Sequence, residues 1–367
     1  MGTNQHLMRS ICAIRAQDGI DIAQGERIMP DPILVGRNDE KLKALAARSG
    51  VKKWTTDLSS VLTDPEYSIY FDAQTTIRRY EDVKKAIDAG KHIYCEKPIA
   101  QNSKQGQELF RLANQKGLKT GVVADKLWLG GLMKLRDLLK QKKLGRILSV
   151  RIEFGYWVFE GDRIEAQRPS WNYRKKDGGG IILDMLCHFS YVLESLIGRV
   201  SSISCLGRTH IPQRVDEQGD TYQCTAEDAF YATLELEGNV AAHINASWCV
   251  RVRRDDLITV QVDATEGTAV AGLSQCWIQP YDKTPRSVWN PDIAEPLDSF
   301  AAWQEVDPNR KFDNAFKIQW ELFLRHVVCD EPFEWNILAG AKNILLAEKG
   351  MESWQTRRWV DIPKLNG

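Results

Sequence analysis

Between residues 32 and 125 the chain switches repeatedly between two periodicities, and this narrows the possible folds more than any other feature. The runs PILVG (32–36), YSIYFDA (67–73), KHIYCE (91–96) and LKTGVVAD (118–125) have the length and apolar content of buried strands. Helical segments separate them. NDEKLKALAARSG offers Asn38 or Asp39 as an N-cap, Leu42, Leu45 and Ala46 on one face, and Gly50 as a stop. DLSSVL (57–62), EDVKKAIDAG (81–90) and SKQGQELFRLANQKG read as further helices. Strands alternating with helices of this length predict βαβ units, hence a parallel sheet with helices on both faces.

Past residue 126 the pattern changes. MKLRDLLKQKKLG (133–145) is helical, with its basic end suited to the helix dipole. In ILSVRIEFGY, Leu148, Val150, Ile152 and Phe154 alternate with Ser149, Arg151 and Glu153. FYATLELEGNVAAHINASW (230–248) alternates on both sides of Glu237-Gly238-Asn239, a hairpin signal, and LITVQVDA (257–264) alternates again. Such strands predict an antiparallel or mixed sheet covered on one side. Helices at 316–328 and 336–350 close the chain, and the polar stretches 207–225 and 279–313 read as loops. The expected fold class is α/β. A Rossmann-like doubly wound parallel domain over 1–126 binds a dinucleotide. An α+β domain over 127–367, with a large open and mostly antiparallel sheet, serves substrate binding and oligomerisation.

A dinucleotide-binding domain opens with a strand, then G-x-G-x-x-G, then a helix whose N-terminus receives the pyrophosphate. Here the first residues are MGTNQHLMRSICAIR, with Leu7, Ile11 and Ile14 on one helix face. The expectation is that this is the first helix, with the first strand and most of the glycine loop missing. Either the domain binds no nucleotide, or the chain starts at a methionine inside the loop. The second reading is favoured, and it makes Gly2 and Thr3 the residues nearest the cofactor phosphates.

Composition removes several alternatives. Lys and Arg together number 49, as do Asp and Glu, so the chain lacks the field that nucleic acid or an anionic membrane would require. No run approaches the roughly 20 apolar residues that cross a bilayer. The N-terminus lacks a signal-type apolar core, and His6 stands where a myristoylation motif needs Ser or Thr. Eight scattered cysteines without a CxxC pair read as reduced core thiols of a cytoplasmic protein. The six histidines are dispersed, so no metal site is expected. The 12 tryptophans serve equally as core residues or as platforms for sugar rings.

Three features carry chemistry. Glu96-Lys97-Pro98 ends a parallel strand, the place where ligands of open α/β sheets bind. In DGGGIILDMLCHFSYVLESLIG (177–198), Asp184 and His188 stand four residues apart on one face of an otherwise apolar helix. Such a pair is either self-satisfied in the core or functional. Before the glycines, Trp171, Asn172 and Tyr173 offer aromatic and amide groups suited to a polyol.

Together these segments resemble the glucose–fructose oxidoreductase, inositol dehydrogenase and MocA family of NAD(P)-dependent oxidoreductases, over essentially the whole chain. AIDAGKHIYCEKPIA looks like the family's AGKHVLCEKPLA, WNYRKKDGGGIILDMLCH is similar to its W-R…GGG-x-L-x-D-x-x-x-H segment, and residues 314–354 resemble its closing helices. The resemblance implies that Lys97, His188 and Asp184 are catalytic. It also implies a cis Lys97–Pro98 bond, with Glu96 and Pro98 beside the cofactor. An alcohol loses a proton as its carbon loses a hydride, which suits a neutral histidine as base and an ammonium beside the developing alkoxide. The acidic residue expected after the second strand is replaced within Gly36-Arg37-Asn38; either Arg37 favours a 2′-phosphate, or it stacks on adenine or faces solvent with Asn38 on the ribose, so NAD and NADP both stay open. Phe71-Asp72-Ala73-Gln74-Thr75-Thr76 stands in place of the family's T-P-x-x-x-H, so Gln74 and Thr75 approach the cofactor. Lys126, next to Asp125, enters the substrate pocket. The expected activity is oxidation of a secondary hydroxyl of a sugar, polyol or glycoside by a homo-oligomeric enzyme. The alternatives are a redox-neutral NAD-dependent glycosidase of this fold and a non-catalytic ligand-binding homologue.

Overall fold

The computed structural model describes residues 1–22, 25–254, 257–286, 290–294, 297–308 and 311–366. The chain opens with α1, a π-helix over Gly2–Ile11 that continues as an α-helix over Cys12–Ala16. Then follow β1 (Ile20–Asp21), β2 (Arg27–Ile28), β3 (Ile33–Val35), α2 (Asp39–Ser49), β4 (Lys53–Thr55), α3 (Leu58–Thr63) and β5 (Ile69–Asp72). Next come α4 (Thr76–Asp88), β6 (His92–Cys95), α5 (Ser103–Gln115), β7 (Thr120–Val122), α6 (Gly130–Lys140), β8 (Ile147–Gly155) and α7 (Ile181–Leu196). The strands β9 (Val200–Arg208), β10 (Gln213–Val215), β11 (Thr221–Gln223), β12 (Ala229–Leu236) and β13 (Val240–Ser247) lead to β14 (Ile258–Ala264), β15 (Gly267–Ala271), β16 (Cys276–Pro280) and β17 (Gln304–Glu305). The chain closes with α8 (Ala315–Cys329), α9 (Ile337–Thr356) and β18 (Val360–Asp361). Of the stretch expected as a loop over 279–313, residues 287–289, 295–296 and 309–310 lie outside the described residues.

Contacts divide the chain into two units. The first holds Met1–Trp128, Asp313–Leu345 and the tail from Leu365, and the second holds Leu129–Phe312 and Leu346–Lys364. Residues 313–345 thus group with the first unit.

In the first unit β3 and β4 pair in parallel, as do β5, β6 and β7 in that order. Among the described residues no ladder joins the two half-sheets. The apolar face of α1 serves both. Leu7 lies in one cluster with Leu34, Leu42, Ala46 and Val51, while Ile11 and Ile14 join Tyr94, Val123, Trp320 and Phe323 in another. Each fully buried side chain of this size contributes roughly 1.5–3 kcal/mol. The local signals act as their chemistry requires. Asn38 Oδ1 caps α2 by accepting from Lys41 N at 2.9 Å, and Gly50 closes it in the left-handed region at φ 69°. Asp57 caps α3 through Ser59 N and Ser60 N. Helix α4 begins a turn earlier than its sequence pattern, because buried Arg79 finds an acceptor outside the helix.

The second unit is built on a nine-stranded sheet in the order β17-β16-β15-β14-β8-β13-β12-β9-β18. Its one parallel pair is β8 with β13, in the register Ile152↔Ile244. The hairpin between β12 and β13 turns at Gly238 (φ 84°) and Asn239 (φ 60°), both left-handed. In β13 Val240, Ala242 and Ile244 are buried while Ala241, His243 and Asn245 are exposed, the alternation of a sheet covered on one face. Helix α7 contributes to that cover, with Phe189 packed 6.1 Å from Phe154 and 6.4 Å from Phe230, ring centre to ring centre.

Candidate active site

In the first unit the residues of interest collect at the carboxyl ends of β5, β6 and β7. The Lys97–Pro98 bond is cis. Glu96, only 7% exposed, accepts a hydrogen bond from the buried His6 ring, with Nε2 to Oε1 at 2.8 Å, and accepts from Lys97 N on its other oxygen at 3.1 Å. Trp320 Nε1 lies 3.0 Å from His6 Nδ1. An indole nitrogen only donates, so Nδ1 carries the lone pair and the ring proton sits on Nε2, facing Glu96. Burial opposes ionisation of Glu96, but the hydrogen bond from His6 and the positive charges of Lys97 and Arg79 hold its carboxyl below the ordinary range. Helix α1 and helix α8 thus brace the strand end that delivers Lys97, which is itself half-buried.

A second buried group fixes the neighbouring loop. Arg79 and Asp72 are 2% and 1% exposed, with Nε to Oδ1 at 2.8 Å. The same guanidinium donates to Gln74 O at 2.5 Å and to the Pro98 carbonyl. It therefore ties the loop after β5 to the turn after β6. Gln74, expected near the cofactor, directs its amide into this network, donating to Asp72 Oδ2 at 3.0 Å and Asp82 Oδ2 at 2.9 Å. Thr75 is exposed at the start of α4. At the end of β7, Lys126 Nζ lies 2.5 Å from Asp125 Oδ2, and Asp125 is buried. Gln319 of α8 holds this end by accepting from Ala124 N at 2.8 Å and donating to Val122 O at 3.1 Å.

These strand ends fit a dinucleotide. Gly2 opens α1 so close to the loop after β5 that an added Cβ would lie 2.9 Å from Ala73 Cβ. Gly2 and Thr3 at a helix N-terminus, Arg37 after β3, the loop after β5 and Glu96–Pro98 occupy the positions where open α/β sheets bind nucleotides.

In the second unit the glycine run is explained by its neighbours. A Cβ on Gly179 would lie 2.4 Å from Asn172 O. Gly180, at φ 126°, would bring one to 2.5 Å from the Glu227 carboxylate. Glu227 needs that approach, because it caps α7 twice, accepting Ile181 N on its carbonyl and Ile182 N on Oε1, both at 3.1 Å. Burial raises the Glu227 carboxyl above its ordinary range. The helix so started presents Asp184 and His188 one turn apart. Asp184 Oδ2 accepts from Arg168 Nη2 at 2.6 Å. Arg168 also reaches Asn172 Oδ1 at 3.2 Å and lies 4.5 Å over the Trp248 ring. His188, 7% exposed, meets Tyr191 Oη through Nδ1 at 2.6 Å.

Sequence reasoning did not single out Arg168, Tyr191, Glu227, His6 or Arg79. Tyr191 had a usable signal, since it stands three residues after His188 on the same face. Arg168 had none, because only the fold brings it to Asp184. Of the expected substrate ligands, Trp171 is 43% exposed and Asn172 is buried. Tyr173 is a core residue: it is fully buried, its hydroxyl donates to Phe159 O at 2.6 Å, and its ring backs the buried Arg214 guanidinium at 4.1 Å. Among the described residues no His, Cys, Asp and Glu cluster could hold a metal, and no helix is long and apolar enough to cross a membrane.

The site's class follows from comparison with known proteins. The family model described as an oxidoreductase family with an NAD-binding Rossmann fold matches residues 33–123, and that of the GFO/IDH/MocA C-terminal domain matches 132–270. The chain belongs to the GFO/IDH/MocA family of oxidoreductases. Within it, the chain is 50% identical over 369 residues to a D-xylose dehydrogenase of Paenarthrobacter nicotinovorans, covering 100% of this chain and 95% of that protein. A levoglucosan dehydrogenase of Pseudarthrobacter phenanthrenivorans is 25% identical over 252 residues, covering 65% of this chain and 64% of that protein. A solved levoglucosan dehydrogenase in complex with NADH and levoglucosan shares the fold, with a TM-score of 0.81 at 20% identity over 99% of this chain and 97% of that one.

Proposed function

We propose that this chain is a nicotinamide-dependent sugar dehydrogenase acting on D-xylose or an aldopentose of similar shape. The observation that carries the reading is the 50% identity to a D-xylose dehydrogenase along the whole chain. When bound, the dinucleotide supplies the acceptor for the hydride that leaves the sugar carbon. Gly2, Thr3, Arg37, the loop at Gln74 and Thr75, and Glu96–Pro98 hold it. Asn38 contributes backbone only, since its side chain caps α2.

The remaining roles belong to side chains of this chain. Lys97, as an ammonium, stabilises negative charge growing on the sugar oxygen. His188 takes the hydroxyl proton at Nε2, while Tyr191 holds the ring through Nδ1. Asp184, paired with Arg168, accepts from a sugar hydroxyl and fixes which carbon reacts. Lys126, Trp171 and Asn172 complete the sugar's surroundings. The first unit is the dinucleotide-binding domain and the second the substrate domain. The enzyme works in the cytoplasm, where its thiols stay reduced. It assembles as a homo-oligomer through the uncovered face of the nine-stranded sheet, where Arg151, Glu153, Tyr231 and His243 line a shallow hollow of 410 Å³.

The test is a panel of pentoses, hexoses and aryl glycosides with each dinucleotide. Reduced dinucleotide formed in step with sugar oxidised supports the reading. Free sugar released from a glycoside without net reduced dinucleotide would replace it with a hydrolase.

A further inference from the structure

We propose that the dinucleotide this chain selects is the 2′-phosphorylated one, NADP(H), and that Arg37 is the selecting residue. The proposal rests on the dehydrogenase reading and adds the choice of cofactor. NAD is chosen over NADP by a carboxylate just past the second strand of the fold, which accepts from the adenosine ribose hydroxyls and repels a phosphate. In this chain β3 ends at Val35 and is followed by Gly36, Arg37 and Asn38, none of them acidic.

The geometry removes the substitutes. Asn38 is the one amide that would mimic a carboxylate toward the ribose, and its Oδ1 is committed to Lys41 N at 2.9 Å. The next carboxylate, Asp39, lies inside α2 and accepts from the Trp54 indole at 3.2 Å. Gly36 keeps the turn tight. Its N–H donates to Thr55 O at 3.3 Å, and an added Cβ would sit 3.1 Å from Leu42 Cδ2. Arg37 is therefore set between a strand end and the N-terminus of an eleven-residue helix. It is exposed, and among the described residues its guanidinium has no carboxylate partner. A planar guanidinium with several donors matches a phosphate dianion and has nothing comparable to offer a neutral hydroxyl. Over residues 37–43 the cations Arg37, Lys41 and Lys43 outnumber Asp39 and Glu40, which leaves the segment net positive.

Equilibrium binding to the intact chain, by calorimetry and by tryptophan fluorescence quenching, tests this without relying on turnover. The probes are NADP⁺, NAD⁺, adenosine 2′,5′-bisphosphate and 5′-AMP. The expected result is ten- to a hundredfold tighter binding of each 2′-phosphorylated probe, on the order of one or two charge-assisted hydrogen bonds. The preference should shrink as salt rises, because the site is exposed. Arg37→Asp should invert it toward NAD⁺, and Arg37→Lys should keep part of it. Equal or tighter binding of NAD⁺ by the parent chain, or an unchanged ratio in Arg37→Asp, overturns the inference and leaves the dehydrogenase reading intact. Failure of all four probes to bind overturns both.

Discussion

Replacing Arg79 by methionine should unfold the first unit at markedly lower denaturant and disable the enzyme. The side chains of Arg79 and Asp72 are 3% and 0% exposed, so water screens neither charge. Removing one partner of a buried pair typically costs about 3–5 kcal/mol, because the other is left as an uncompensated buried charge. Asp72 would keep three donors: Gln74 N at 3.0 Å, Gln74 Nε2 at 3.0 Å and Tyr70 Oη at 2.9 Å. These pull the loss toward about 3 kcal/mol. Two carbonyls, Gln74 O and Pro98 O, lose a donor as well, at about 1 kcal/mol each where water does not replace it. The sum remains within about 3–5 kcal/mol, a large share of the roughly 5–15 kcal/mol of a typical domain. Urea titrations of the parent, Arg79→Met, Asp72→Asn and the double variant give the cycle. The double variant should cost about 2 kcal/mol less than the sum of the singles. Since the guanidinium also positions the turn carrying Lys97, turnover in folded Arg79→Met should fall about 10²-fold. A stability loss under about 1 kcal/mol, or strict additivity, would refute the buried-pair account.

Other outcomes follow from the same geometry. Tyr191→Phe removes the partner of His188 Nδ1 and should lower kcat and move the acidic limb of its pH profile, while the melting temperature changes little; a profile superimposable on the parent's would detach Tyr191 from the base. The carboxyl of Glu96 titrates below its ordinary 4.5 in the folded chain, so its stabilisation is present above that value and is lost as pH falls through the folded pKa. Melting temperatures of the parent should therefore drop below about pH 4.5, and Glu96→Gln should flatten that drop. Burial pushes the thiols of Cys95, Cys205 and Cys276 up to about 12, so iodoacetamide on the native chain should label exposed Cys329 and spare these three until denaturant is added. Peptide mapping reads the order directly.

Much of this was legible because local chemistry acts locally. Asn38, Gly50 and Asp57 cap the elements they flank, and the alternation around Glu237-Gly238-Asn239 specifies a hairpin whatever the rest of the chain does. The helix carrying Asp184 and His188 was visible as a polar pair in an apolar run. What stayed hidden depends on contacts between distant segments. Alternation reveals which face of a strand is buried but not its neighbour, so the parallel pairing of β8 with β13 could not be read. Nothing in the sequence separates Arg79 from its neighbour Arg78, because only the fold brings Asp72 against it. Tyr173 looked like a ligand because with Trp171 and Asn172 it precedes the glycine run, yet its neighbours in space, Arg214 and Phe159, come from elsewhere in the chain.

The most direct test of the account is the initial rate of dinucleotide reduction with D-xylose, measured for the parent, Lys97→Met and His188→Asn alongside their thermal unfolding. The account predicts one dinucleotide reduced per sugar oxidised in the parent, and losses of about 10²–10⁴-fold in both variants with folding retained. Near-parental rates in either variant, or a parent that oxidises no sugar in the panel, would contradict it.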